Sequence, residues 1–280
     1  MLLLAISGVL AWYFTVFKSE EEPLASCGDC YCIVGGENGE ECPSWSPQIN
    51  HTNFESYKKP KLVDAYELSC DPYSVNTCET SPSQDDQMIA LGETAVCAIH
   101  FIDTSTCTAS AGSKYQLVTY ASQEEALAAG GFVTHLGACG LCSSLQDLAV
   151  YLEYPGLTTE GKFCASRASI SIEAGNACYR NLGMSDGCAK IWAEAEGNTF
   201  RDCFTDCFLS DLDQNNPNNG PAPECKLNNC LQCDQDRSAE ILAKYAGRTR
   251  RRSGLLSPVA RKCEEIAQID HDPCPVTVPL

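Results

Sequence analysis

Basic side chains are scarce in this 280-residue chain: 19 Lys and Arg stand against 37 Asp and Glu, for a formal net charge of −18. A chain this acidic repels phosphate backbones, which excludes general nucleic-acid binding and leaves solvation as the plain role of most carboxylates. Long apolar runs are as rare, with residues 2–17 forming the one obvious example. Cys-x-x-Cys-His is missing, so covalent c-type haem has no support, and the lack of an internal repeat excludes a repeat architecture. What the chain has in excess is cysteine. Its 20 cysteines are an even number, enough for ten bridges with no thiol left over. Bridges at that density do not persist in reducing cytosol and place the Cys-bearing part in an extracellular or lumenal compartment. The hydrophobic fraction of 44% is also that of an ordinary buried core, so the expectation is a real core that is stapled as well.

Only Ser7 and Thr15 interrupt the first apolar segment. Sixteen residues span roughly 24 Å as a helix, short of the ~30 Å hydrocarbon layer, with Lys18 able to snorkel. Trp12, Tyr13 and Phe14 sit where interfacial aromatics belong. A signal peptide would carry a positive n-region, which is missing, and Glu20, Glu21 and Glu22 separate the run from the small residues Ala25 and Ser26. The expectation is a retained single-pass anchor with the rest of the chain outside the cytosol.

Residues 1–18 thus read as a transmembrane helix or signal anchor. Residues 19–92 read as an irregular Cys-rich segment, and 93–280 as a disulfide-stabilised α+β domain. Asn50-His51-Thr52 is a glycosylation sequon fitting a lumenal loop. Residues 95–102 and 115–120 are β-rich and predict a hairpin with a long loop. Ser122-Gln123-Glu124-Glu125 is a capping-box pattern opening a short helix closed by Gly130 and Gly131. Another strand is expected at 132–135. From Ser143 the period turns helical: Leu145, Leu148, Ala149 and Leu152 share a face, and Pro155 ends the run. Cys188, Ile191, Trp192 and Ala195 repeat that spacing. Phe200, Cys203, Phe204, Cys207 and Phe208 make the clearest stripe, read as core with cysteines placed to bridge neighbouring helices. Ser238 caps a further helix stopped by Gly247. The fold class is α+β, mainly helical and disulfide-rich, with a small β-hairpin element behind one transmembrane helix.

The segment His135-Leu136-Gly137-Ala138-Cys139-Gly140-Leu141-Cys142 is where chemistry would sit, because it precedes a helix. Three readings stay open. Cys139 and Cys142 form a Cys-x-x-Cys whose thiolate a helix N-terminus favours, as in disulfide exchange. A thioredoxin-like site needs a βαβ frame, and the following sequence gives helices and more cysteines instead. The segment also looks like the surroundings of a papain-family nucleophile, with Cys142 as nucleophile and His271 as its base. Leu136, however, stands in place of the oxyanion glutamine and Ser143 in place of a tryptophan, and no Asn-Ser-Trp segment occurs. In the third reading both cysteines pair elsewhere and His135 is a turn or surface residue.

Cys230 and Cys233 form a second Cys-x-x-Cys, so four thiolates are available to zinc, although disulfides prevail in an oxidising lumen. Asp211, Asp213 and Asn215 alternate like the start of a calcium loop. Asn216 and Ala222 occupy the positions where an EF-hand needs Gly and Glu, which leaves only an irregular calcium loop. Apart from that calcium, no cofactor is expected. Arg248, Arg250 and Arg251 belong to a basic run that pairs with the protein's own carboxylates, grips an anionic partner, or marks a processing site.

The run from Thr134 through Asp147, the segment Leu227-Asn228-Asn229-Cys230-Leu231-Gln232-Cys233-Asp234, and Ala246-Gly247-Arg248-Thr249-Arg250-Arg251 with Ser253-Gly254 together resemble a family of uncharacterised Cys-rich proteins of algae, oomycetes and other microbial eukaryotes. The resemblance covers roughly residues 115–275 and implies a source of that kind. The family has no established activity, so it carries no catalytic residue across. Arg252 and Leu256 depart from its pattern, where a polar uncharged residue and a proline are expected. The functional expectation is a non-enzymatic, membrane-anchored extracellular or lumenal domain. It would be a structural or binding part of a larger assembly, touching the membrane through residues 2–17 and having protein partners. The alternative is a thiol-dependent enzyme using Cys139 or Cys142.

Overall fold

The structure, a computed structural model, describes residues 57–74, 78–81, 94–102, 113–154, 156–212, 217–221, 224–255, 257, 259–269 and 271. The expected anchor at 2–17, Asn50, Asp213 and Asn215 lie outside the described residues. Among the described residues no helix is long and apolar enough to cross a membrane.

The sheet begins from strand β4 (Val96–Phe101), whose first four residues are all buried. A strand buried on both faces needs neighbours on both edges. It pairs antiparallel with β5 (Lys114–Tyr120) on one side and β6 (Phe132–Leu136) on the other, with a bulge between Cys97 and Ala98 on the β6 side. The expected hairpin is therefore the centre of a four-stranded sheet. Its fourth member, β1 (Lys61–Leu62), runs parallel to β5. Two residues apiece from β2 (Glu67–Leu68) and β3 (Thr80–Ser81) make a separate ribbon. Helix α1 (Gln123–Ala128) fills the β5–β6 crossing. Its Ser122 hydroxyl accepts from the Glu125 N–H, as the capping pattern predicts.

Strand alternation divides the core. Val96 and Ala98 point to a small cluster with Ala126, Val133, Ala267 and Ile269. Ile99 points the other way, into the main core. There α2 (Leu145–Glu153) is buried along most of its length. Ser144 caps it, accepting from the Asp147 N–H at 3.0 Å. Next come α3 (Leu157–Ala168), α4 (Ile172–Asn181) and the 27-residue α5 (Asp186–Leu212), against which α3 and α4 pack. Tyr179 of α4 meets Trp192 of α5 with ring centroids 5.9 Å apart. The chain closes with α6 (Asn229–Arg237) and α7 (Ala239–Ala246), followed by two short 3-10 turns. Among the described residues the fold is thus α+β, with seven helices, a small sheet and many disulfides.

Two local expectations are corrected. Phe200 and Phe204 do not face the core: they are 45% and 50% exposed and stack edge-on at 5.2 Å. Cys203 is buried. A helix wedged among several neighbours has no single apolar face, so the stripe does not mark the inward side. Ser238 does stand at the N-cap of α7, but its side chain makes no capping hydrogen bond. Its hydroxyl instead meets Thr199 at 2.7 Å and Asn198 at 3.1 Å.

All fourteen described cysteines are disulfide-bonded. Cys142–Cys188 ties the turn before α2 to α5, and Cys97–Cys139 ties the same turn to the sheet. Cys164–Cys178 joins α3 to α4, which approach so closely at Gly175 that an added Cβ would stand 2.5 Å from that of Ala168. Cys203–Cys233 and Cys207–Cys230 form a double staple between α5 and α6. Each bridge stabilises by about 2–4 kcal/mol.

Candidate functional site

Five of the residues singled out in the sequence, His135, Cys139, Cys142, Arg248 and His271, meet at one buried node between β6, the N-terminus of α2 and the segment after α7. The node is organised by Arg248, which is 1% exposed. Its Nε donates to the Cys142 carbonyl at 3.0 Å. Nη1 donates to the Thr134 carbonyl and the Ser253 hydroxyl, both at 3.0 Å. Nη2 donates to the Thr134 hydroxyl at 2.5 Å and the Ser143 carbonyl at 3.1 Å. All five guanidinium donors are consumed, four of them by Thr134 in the middle of β6 and by the turn before α2. Asp147, wholly buried, supplies opposite charge, while burial pulls the guanidinium down to about 10. The residue is still a cation at neutral pH.

Arg248 reaches this position because Gly247 ends α7 with φ at +73°. A side chain there would also collide, since its Cβ would lie 2.7 Å from Ala138 O and Gly140 N. The helix end thus folds directly onto the 138–143 turn. Leu141 and Cys142 donate their N–H groups to the Tyr245 and Ala246 carbonyls at 3.0 and 2.8 Å.

His135 and Ser143 form the pair closest in geometry to catalysis. His135 Nδ1 lies 2.9 Å from the Leu136 carbonyl, which only accepts, so Nδ1 carries the hydrogen. Nε2 is then free to accept from the Ser143 hydroxyl at 2.7 Å. The Ser143 oxygen in turn accepts from the Gly140 N–H at 2.8 Å. Burial first, and Arg248 second, hold the imidazole well below its ordinary titration range, so it is neutral. A hydroxyl donating to imidazole is a nucleophile–base arrangement. Here both residues are fully buried, and the histidine is oriented by a backbone carbonyl where a triad uses a carboxylate. The pair is walled in by Gly247 and Arg248 and acts as a core hydrogen-bond network. His135 is accordingly interior, and the expected turn or surface position is corrected.

Cys139 and Cys142 are not joined to each other. Cys139 is bridged to Cys97 and Cys142 to Cys188, and all four sulfurs belong to buried residues. The Cys230 and Cys233 sulfurs are likewise divided between two bridges. Among the described residues no group of three or more His, Cys, Asp or Glu is arranged to hold a metal. His271 is buried against the same node, with Nε2 2.6 Å from the Ser253 carbonyl and its own carbonyl accepting from Tyr57. The structure gives it no hydrogen bond to Cys142. Asp211 falls in the last turn of α5.

The arginine run is turned largely inward. Arg248 has no surface to offer an anionic partner. Arg250 donates to the Tyr151 carbonyl at 2.9 Å and to that of Tyr154, closing the C-terminus of α2, with its guanidinium 5.3 Å from the Tyr151 ring. Arg251 makes an ion pair of the expected kind, 3.9 Å from Glu265 at the surface, where such pairs contribute little. Most acceptors of Arg248 are backbone carbonyls, as are those of Arg250 in α2, and residue types cannot reveal them.

A second polar cluster was not anticipated. Thr199 of α5 donates to Asp234 of α6 at 2.6 Å, and Asn198 donates to Ser238. Glu196 and Asp234 both lie in this junction. Burial raises the Glu196 carboxyl, and the neighbouring Asp234 raises it further. Burial also raises Asp234, against the Thr199 hydrogen bond. Glu194, 7% exposed, is pushed up to about 7 by burial and then Asp71. Carboxyls spaced along one helix next to a hydrophobic stretch give no sequence signal of being buried.

These features define a disulfide-stapled α+β domain of an oxidising, extracellular or lumenal environment. Residues 172–269, spanning α4 through α7 and the Arg248 segment, match a family of unknown function, DUF8771. No curated protein and no solved structure matches the chain.

Proposed function

We propose that the chain is a non-enzymatic, membrane-anchored extracellular or lumenal domain that serves as a structural or binding component of a membrane-associated assembly. One observation carries this reading. The two best candidate nucleophiles, Cys139 and Cys142, are spent in separate buried bridges that clamp the 138–143 turn to the sheet and to α5. The polar groups around them, His135, Ser143 and Arg248, are consumed by one another and by backbone carbonyls, as befits a rigid scaffold. The apolar run at 2–17 and the sequon at Asn50 support an anchored, lumen-facing disposition. An irregular calcium loop built on Asp211, Asp213 and Asn215 is also part of the proposal.

The test is carbonate extraction of native membranes, followed by a native gel of the detergent-solubilised chain. The reading expects the chain in the membrane pellet and then in a species larger than its 30.3 kDa monomer with its detergent shell. Release by carbonate would remove the anchor. Migration as a lone monomer would remove the assembly.

A further inference from the structure

We infer that the double staple between α5 and α6 is a thiol–disulfide exchange site, in which a dithiol frees Cys230 from Cys207 and Cys230 then takes Cys233 from Cys203. Two links between helices become one link inside α6. The placement of the four cysteines permits it. Cys203 and Cys207 stand about one turn apart on α5, and Cys230 and Cys233 about one turn apart at the start of α6. Each sulfur of this Cys-x-x-Cys is bonded to the other helix and not to its neighbour. Residues three apart on a helix share a face, with Cβ atoms about 5–6 Å apart. A bridge between Cys230 and Cys233 therefore needs only a small closure of the first turn, in the part of a helix that frays.

The two staples differ in exposure. Cys203 is fully buried, whereas Cys207 and Cys230 are both half-buried. In Cys97–Cys139, Cys142–Cys188 and Cys164–Cys178 both residues are buried. An incoming thiol therefore meets Cys207–Cys230 before its twin and before these core bridges. Cys230 is the second residue of α6, which Asn228 caps and whose first turn holds no acidic side chain. The N–H groups at such a helix start favour an anionic sulfur, which makes Cys230 a good leaving group. Cys70–Cys78 is half-buried at both ends too, so the diagnostic event is the new pairing and not reduction alone.

The steps balance. A thiolate of the dithiol attacks Cys207 Sγ, the Cys207–Cys230 bond breaks, and Cys230 leaves as thiolate. The second thiol then attacks the mixed disulfide, so that the dithiol ends as a disulfide and Cys207 receives its proton. The Cys230 thiolate next attacks Cys233 Sγ. The Cys203–Cys233 bond breaks, and Cys203 takes up the proton the dithiol first lost. One dithiol is oxidised and one bridge is reduced in net. Both staples between α5 and α6 are then gone. No residue of α6 is buried, and its hydrogen bonds to the rest of the domain include only single contacts such as Thr199 to Asp234 at 2.6 Å and Arg261 to Gln235 at 2.7 Å. The helix loosens and the face of α5 around Cys203 opens. This goes beyond the scaffold reading and leaves it standing, because no step touches Cys139 or Cys142.

The test titrates the full chain in detergent micelles with dithiothreitol, followed by acid quench, alkylation and peptide mapping. At the lowest concentration that opens Cys207–Cys230, a linked Cys230–Cys233 peptide is expected, with Cys203 and Cys207 alkylated and with Cys97–Cys139 and Cys142–Cys188 still linked. In that species hydrogen–deuterium exchange should show the α6 amides losing about tenfold or more in protection, while β4 and β5 stay level. Cys207→Ser, prepared without reductant, should divide its alkylation between Cys230 and Cys203. Alkylated Cys207 and Cys230 beside an intact Cys203–Cys233 peptide would overturn the exchange. Opening of both staples with no Cys230–Cys233 peptide would do so too, and unchanged α6 protection would overturn the loosening. The wild-type map decides the matter even where the variant fails to fold.

Discussion

Arg248 and Thr134 are joined twice, Nη1 to the threonine carbonyl and Nη2 to its hydroxyl, so a residue just past the last helix fixes the edge of the sheet. That link makes β6 an edge strand with an occupied acceptor, and it couples the β and helical halves through one side chain. Lysine keeps the charge but supplies three donors with no planar fork. Arg248→Lys is expected to lose at least two of the five hydrogen bonds and to destabilise by about 3 kcal/mol, with Arg248→Met losing at least as much. Urea unfolding under oxidising conditions measures it. A loss within experimental error for both variants would mean the node is ornamental.

Ser143 is expected to be inert. In the folded protein a fluorophosphonate probe should leave it unlabelled, because its hydroxyl is buried between His135 and the Gly140 N–H. Ser143→Ala removes an acceptor for that N–H and a donor to the imidazole, and should cost about 1–3 kcal/mol of stability. Probe labelling at Ser143 by intact-mass analysis would turn the pair into an active site.

His135 predicts a pH dependence opposite in sign to that of the acidic cluster. Its folded titration lies well below the ordinary value of 6.5. The stability it contributes is complete above 6.5 and declines as pH falls below that, by up to about 1.4 kcal/mol per pH unit. The buried carboxyls work the other way. The clean readout is therefore the difference in urea midpoint between wild type and His135→Asn, at pH 4.5 and 7.5. The variant should lose its disadvantage toward acid pH, and a constant difference would contradict neutral burial of the imidazole.

Much of the fold could be read from the chain because local signals and tertiary packing agree there. Ser122 sits at the N-cap the pattern assigns to it, the helix expected after Ser143 forms, and β4 and β5 pair as a hairpin. Helix α6 was illegible for a physical reason: none of its residues is buried, and the double staple does the work of an apolar stripe. Helix α3 begins without a side-chain cap, and α4 contains Gly175 where the two helices touch. At the node, His135, Cys139, Cys142, Arg248 and His271 were all visible as unusual residues. Their roles were not, because the partners that decide them are backbone carbonyls and distant cysteines.

The α5–α6 staple gives a further prediction. Replacing all four of Cys203, Cys207, Cys230 and Cys233 by serine should destabilise by several kcal/mol, at about 2–4 kcal/mol per bridge. Losing both should cost clearly more than losing either alone, since α6 buries no residue of its own. Equal stability of single- and double-bridge variants would show that one staple suffices.

The most direct test of the scaffold account is peptide mapping of the native protein after alkylation without reductant. The account predicts Cys97–Cys139 and Cys142–Cys188 linked peptides, with no alkylated Cys139 or Cys142. A free thiol at Cys142, or a readily reduced bridge between Cys139 and Cys142, would contradict it and return the thiol chemistry to the centre of this domain.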